Sequence, residues 1–127
     1  MYGLNMDVLG RIVEVASGEK LADYFRKHIF EPLGMKDTYF YLPKEKQARL
    51  VPIYSYDAAG NFQLLNNDPL VYNPDYPRNK DMGHYAGGGG LSSTAMDYGI
   101  FIQALLNNGV YKGTRIHLDT VKGLGKY

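Results

Sequence analysis

Cysteine and tryptophan are both missing from this 127-residue chain. The first absence excludes disulfides and thiolate metal sites, and it leaves the redox compartment open. The second, beside 12 tyrosines, decides nothing. Charge of one sign is lacking too, since 14 Lys and Arg against 13 Asp and Glu give a formal net charge of +1. That balance offers no electrostatic footing for nucleic acid or an anionic membrane. No apolar run approaches the ~20 residues of a membrane span. Met1-Tyr2-Gly3 leads straight into a helical pattern rather than a signal peptide. His28 and His117 have no carboxylate or second histidine at ligand spacing, so neither a metal nor a cofactor is expected. What is there, 45% hydrophobic and 21% charged residues, is a globular composition long enough to bury a core.

The most distinctive stretch present is Ala86-Gly87-Gly88-Gly89-Gly90-Leu91-Ser92-Ser93-Thr94-Ala95-Met96-Asp97-Tyr98. Consecutive glycines imply positive φ, or a close approach that a Cβ would block. Ser93 or Thr94 can cap a helix, and Asp97 follows Thr94 at capping-box spacing. Tyr98, Phe101, Ile102, Leu105 and Leu106 recur at helical spacing and predict one buried face. Asn107-Asn108-Gly109 ends the helix with residues that tolerate the left-handed region. A phosphate-binding loop would need lysine where Leu91 stands, and a nucleophile elbow would need glycine where Thr94 stands. His84 and Asp81 are near in sequence, but a triad is defined by geometry. Two readings remain: a tight turn with close backbone packing, or the wall of a substrate cleft.

A first helix begins with Asn5 as its cap, and its face of Val8, Leu9, Ile12, Val13 and Ala16 is apolar. Gly10 inside it suggests that another backbone packs close. After Ser17-Gly18, a second helix carries Leu21, Tyr24, Phe25 and Ile29, and Glu31-Pro32 should end it. Val8, Leu9, Ile12 and Val13 are expected to face Leu21, Phe25 and Ile29, with Ile12 buried. Residues 43–49 read as a solvated link of one helical turn. Residues 51–56 and 62–65 flank Asp57-Ala58-Ala59-Gly60-Asn61 as a β-hairpin. Residues 66–85 form a long aperiodic loop rich in Asn, Asp, Pro and Tyr. Tyr111 to Arg115 makes a second turn, and the helix that Asp119 starts is not closed off by Tyr127, so the chain reads as cut.

Several of these blocks carry a family resemblance. Tyr2-Gly3-Leu4, Asp7-Val8-Leu9-Gly10-Arg11-Ile12-Val13-Glu14, Ser17-Gly18 and Ile29-Phe30-Glu31-Pro32-Leu33-Gly34-Met35-Lys36-Asp37-Thr38 come first. Gly88 to Tyr98, Leu105 to Gly109 and Gly113 to Ile116 follow in the same order. Together they resemble the serine β-lactamase and penicillin-binding-protein superfamily, in its class C-like, carboxylesterase-related branch. The resemblance implies an α+β fold, here a partial one: mainly the helical domain with a β-hairpin, forming a single partial domain over residues 1–127.

It also implies acyl-serine chemistry through three motifs: Ser-x-x-Lys, Tyr-x-Asn or its esterase variant, and Lys-Thr-Gly. Tyr2 matches the family's proton-transfer tyrosine, while Leu4 stands where a β-lactamase has asparagine, which favours the esterase-like branch. The serine motif lies upstream in the family and Lys-Thr-Gly downstream, so both are expected to be missing here. Gly88, Gly89, Gly90 and Leu91 would form the cleft wall. The implied function is that of a middle section of a serine hydrolase, inactive alone, whose parent takes a small-molecule ester or β-lactam. The chain would self-associate or join a complementing fragment. The rival is a non-catalytic binding or assembly module that uses the tyrosines of residues 66–85 as its surface.

Two look-alikes need separate treatment. Ser17-Gly18-Glu19-Lys20 spells Ser-x-x-Lys, but the chemistry needs serine and lysine on one helical turn, and glycine makes this a turn between helices. Lys112-Gly113-Thr114 holds the letters of Lys-Thr-Gly in the wrong order, within a loop.

Overall fold

Helix α1 spans Asn5–Ser17. Asn5 is its first helical residue rather than its cap; Leu4 precedes it, and no side chain caps that end. Asp7 in the first turn complements the helix dipole. The stop is chemical, because Gly18 takes φ 72°, where a Cβ would be strained, and donates its N–H to the Glu14 carbonyl at 2.9 Å. The computed structural model describes residues 4–65, 75–78 and 84–116. They divide between two units, one from residues 1–40 and 85–127 and the other from residues 41–84.

The first unit departs from the expected packing of its N-terminal helices. Val8, Leu9 and Ile12 are 57%, 50% and 56% exposed instead of facing the second helix. The reason is Gly10, which is buried on the opposite side of α1. A Cβ there would lie 2.9 Å from Leu21 Cδ2 and 3.6 Å from Gly87 Cα, so the small residue sets the close face. One turn later, the Glu14 carboxylate accepts the N–H of Leu21 at 2.9 Å. That N–H is one of the orphan donors at the start of helix α2, Leu21–Phe25. The close backbone approach read from Gly10 is present; the apolar stripe Val8, Ile12 and Val15 points elsewhere.

Helix α2 does not stop at Glu31-Pro32. It widens into a π turn over Arg26–Phe30 and finishes as α3, Glu31–Leu33. Glu31 sits at φ −62° and ψ −48°, fully helical in spite of the proline after it. Widening the turn moves the preceding carbonyls off the proline ring, and no α-helical donor is then needed from Pro32. Gly34 at φ 73° ends the run, and Met35 returns its N–H to the Phe30 carbonyl at 2.8 Å. This brings Phe30, Leu33 and Met35 into one core with Ala104 and Ile116. Phe25, Ile29, Ile100, Phe101 and Tyr111 pack around them.

Ala104 belongs to helix α4, Ala95–Leu106, and Ile116 follows a small antiparallel pair, β3 and β4. Strands β3 and β4 are Val110–Tyr111 and Thr114–Arg115. The buried face of α4 is Asp97, Ile100, Phe101 and Ala104, not the stripe that includes Tyr98, Ile102 and Leu106. The buried Asp97 carboxylate fixes the rotation of the helix, and its bonds are described below.

In the second unit, residues 44–49 form short 3-10 turns. The expected hairpin is present: β1, Tyr54–Tyr56, pairs with β2, Phe62–Leu64, in the register Tyr54↔Leu64, Ser55↔Gln63, Tyr56↔Phe62. Asp57 shapes its turn by accepting N–H bonds from Ala59 at 2.9 Å and Asn61 at 2.8 Å. The Asn61 N–H, first among several donors, holds the Asp57 carboxyl below the usual carboxylate range. Tyr41 donates its hydroxyl to the His84 carbonyl, and Leu42 its N–H to Pro77 O at 2.6 Å. Residues 66–74 and 79–83 of the long loop lie outside the described residues.

Two measurements check this packing. Leu21→Ala should destabilise the chain by about 2–5 kcal/mol, whereas Ile12→Ala should change it by no more than about 0.5 kcal/mol, as read by denaturant titration. Glu14→Ala should cost about 1 kcal/mol by removing a helix-start acceptor. The Leu21 N–H, and after it Arg11, depress the folded-state pKa of Glu14, so its contribution is present above the ordinary carboxylate pKa. It is lost as pH falls through the depressed value. The gap between wild type and variant should therefore close on acidification and stay constant at neutral pH.

Candidate functional site

Thr94 is the residue that caps α4, and its hydroxyl accepts the N–H of Asp97 at 3.2 Å. That is half of the expected capping box. The Asp97 side chain does not reach back to the cap. It turns inward, only 5% exposed, and Oδ2 accepts the N–H of Asp37 at 2.7 Å and the hydroxyl of Thr38 at 2.9 Å. Thr38 in turn shares a 2.8 Å hydrogen bond with the Ser93 hydroxyl. Next to it, Tyr39 and Ser92 exchange two backbone bonds of 2.9 and 2.8 Å. A buried carboxylate is tolerated only when its lone pairs are satisfied, and here two donors from a segment some sixty residues away do so.

These bonds hold the C-terminal side of the glycine run. Its N-terminal side is held against α1. A Cβ on Gly87 would lie 2.2 Å from the Met6 carbonyl oxygen, closer than any real contact, so only glycine fits. The Gly88 N–H points at Asp7 Oδ1 at 3.4 Å, and Gly90 closes the turn by donating to Ala86 O at 2.9 Å. Of the two conditions that consecutive glycines imply, the close approach is met at Gly87. Positive φ is not: the described glycines with left-handed backbone are Gly18, Gly34, Gly60, Gly109 and Gly113. Among the described residues, none lies within 4 Å of where a Cβ on Gly89 would be. Leu91, two residues on, is 41% exposed.

The sequence-derived candidates sort as follows. Gly88, Gly89, Gly90 and Leu91 form one pinned turn on the first turn of α1. Tyr2 lies outside the described residues, as do Asp81, His117 and Asp119. Ser17 closes α1, donates to Val13 O at 2.7 Å and is separated from Lys20 by the left-handed Gly18, so the two do not share a helical turn. Lys112 and Gly113, at φ 46° and 82°, make the tight turn between β3 and β4. His28 lies 3.6 Å from Glu19 and packs at a tilt against the Tyr24 ring. Among the described residues, no group of His, Asp or Glu could hold a metal ion, and no helix is long and apolar enough to cross a membrane. The sequence reading missed Thr38 as a partner of Asp97. Residues 33–38 stood out only as part of a family block, and nothing in one sequence pairs them with a carboxylate so far along the chain.

Asp97→Ala would remove the acceptor that the Asp37 N–H and the Thr38 hydroxyl share, a cost of about 1–3 kcal/mol. Gly87→Ala should also destabilise, because backbone rather than a flexible side chain meets the new methyl group. Gly89→Ala should leave the melting temperature within a few degrees of wild type. Thermal melts of the three variants, in that order of loss, check the account.

Comparison with known proteins gives this geometry a context. The chain is 32% identical over 112 residues to the lovastatin esterase of Penicillium rubens, covering 85% of this chain and 26% of the esterase. Its fold superposes on a mutant of the simvastatin synthase of Aspergillus terreus with a TM-score of 0.75 and 26% identity, over 95% of this chain and 28% of that one. The octameric penicillin-binding protein homologue of Pyrococcus abyssi shares the fold at a TM-score of 0.61 and 23% identity, over 90% and 22% of the two chains. The chain thus spans about a quarter of the length of these relatives. The α+β fold expected from the sequence is the one these structures share. The family match itself runs from residue 3 to residue 122, and the chain belongs to the beta-lactamase family.

Proposed function

We propose that this chain is the middle section, as one partial domain over residues 1–127, of a serine hydrolase that transfers an acyl group to water through an acyl-serine intermediate. Its substrate class is a small-molecule ester or β-lactam. In this reading, Tyr2 is the proton-transfer residue, and Gly88, Gly89, Gly90 and Leu91 are one wall of the cleft. The observation that carries it is the seating of the glycine turn on Met6 and Asp7. Those residues follow Tyr2 by four and five positions in the sequence, which supports assigning wall and tyrosine to one site.

The chemistry requires more than this chain supplies. A phenol with a pKa near ~10 acts as a base at neutral pH only beside a positive charge. A serine nucleophile also needs an activating base and preorganised oxyanion donors. Ser17, Ser55, Ser92 and Ser93 are the serines present, and Ser17 alone is followed by lysine at the third position. As described, Gly18 breaks that spacing. The 127 residues by themselves are therefore inactive, and self-association or a complementing fragment covers their apolar surface.

A second reading, a binding or assembly module derived from the same fold, is favoured by one observation. The hairpin turns Tyr56 and Phe62 to solvent, with the Tyr54 and Phe62 rings stacked at 5.1 Å. The test is direct. The purified chain should hydrolyse neither nitrocefin nor p-nitrophenyl butyrate above buffer, and Ser17 should resist fluorophosphonate. Acylation of Ser17 would overturn the assignment of the nucleophile to another segment. Activity restored by adding the flanking family segments would exclude the module.

A further inference from the structure

The end of helix α4 holds the sequence's one Asn-Gly pair, Asn108-Gly109. Asparagine followed by glycine is where a chain can modify itself, because no Cβ shields the glycine nitrogen from the side-chain amide carbon beside it. Here the pair closes a Schellman cap, with Asn108 at φ 53° and Gly109 at φ 82°. The Asn108 N–H donates to Leu105 O at 3.1 Å, and the Gly109 N–H to Ala104 O at 2.7 Å. At the other edge of the same peptide unit, the Asn108 carbonyl accepts Arg115 Nη1 at 3.1 Å. The peptide that would react is thus pinned through both its N–H and its C=O. Its anchor is firm, since Ala104 lies fully buried in the core and the Gly109 carbonyl accepts the Ile116 N–H at 2.9 Å. Asn108 itself is exposed to water.

We infer that Asn108-Gly109 is a self-modification site that the closed cap holds shut, so that Asn108 records the opening of that end of α4. For the reaction, the Gly109 nitrogen must give up its bond to Ala104 O and lose its proton. It then attacks Asn108 Cγ: the N–Cγ bond forms, the Cγ–Nδ2 bond breaks, and ammonia leaves with that proton. One water reopens the five-membered imide. Addition at Cγ gives aspartate; addition at the backbone carbonyl carbon gives an isoaspartyl link that runs through the former side chain. Either product sets a carboxylate at the negative end of the α4 dipole. The isoaspartyl link also adds a methylene ahead of the Gly109 nitrogen, which moves its N–H off Ala104 O. The original cap does not re-form, and the mark is permanent. This goes beyond the hydrolase reading and holds equally for a binding module.

The test incubates the full chain in one buffer, folded and in denaturant, and follows conversion at Asn108 by peptide mass mapping and isoaspartyl content. Hydrogen exchange at the Gly109 amide is read by NMR on the same chain. Conversion should be at least about tenfold slower in the folded chain. Exchange at Gly109 should be slowed by a similar factor, because one opening admits both reactions. Arg115→Ala removes only the exposed bond to Asn108 O and should speed both together. Ile116→Ala should speed both further, and if it unfolds the chain it should reach the rate in denaturant. Equal conversion folded and denatured, or none in denaturant, would overturn the inference. So would variants whose Gly109 exchange accelerates while Asn108 converts no faster.

Discussion

The Asp97 carboxylate is the constraint on which the first unit turns. Its burial would be prohibitive alone, since an unpaired charge out of water costs several kcal/mol. The Asp37 N–H and the Thr38 hydroxyl remove that penalty, and in doing so they fix where helix α4 begins and which way it faces. Helix rotation then decides the core: Ile100, Phe101 and Ala104 point toward Phe30, Leu33 and Met35, while Tyr98 and Leu106 remain outside. Beside that carboxylate, Ser93 bonds Thr38 and Ser92 pairs with Tyr39, so the C-terminal side of the glycine turn is held by polar bonds rather than by apolar packing.

Much of this was legible from local chemistry. Thr94 as cap, Gly18 as a helix stop, and the hairpin around Asp57 follow from turn and cap rules that involve only a few adjacent residues. Gly10 announced a close approach, and Leu21 and Gly87 supply it. What failed required tertiary information. Periodicity assigned α1 a buried face containing Ile12, yet an amphipathic stripe shows only that a face is apolar, not which neighbour it meets. The proline rule failed at Glu31 because a π turn offers a route that the rule does not count. In α4, a single carboxylate outweighed the apolar periodicity.

The candidate site was reached in the sequence by a different route. Family resemblance pointed to Tyr2 and to Gly88 through Leu91, and physical reasoning alone could not have ranked those glycines. The structure separates them by cause. Gly87 is demanded by the Met6 carbonyl, whereas no described residue comes within 4 Å of where a Cβ on Gly89 would be. That distinction exists only in three dimensions, because the four residues are identical in the sequence.

Gly10, Leu21 and Gly87 meet at one point, where a helix, the start of the next helix and a distant loop share the space of a single methyl group. The evolutionary consequence is that the first two cannot drift separately. A methyl group at Gly10 would press on Leu21 Cδ2 at 2.9 Å while meeting Gly87 Cα at an ordinary 3.6 Å, so Leu21 is the residue that must give way. Lineages that lose the glycine at position 10 should therefore have altered residue 21 with it, so that the two vary as one character or stay fixed together.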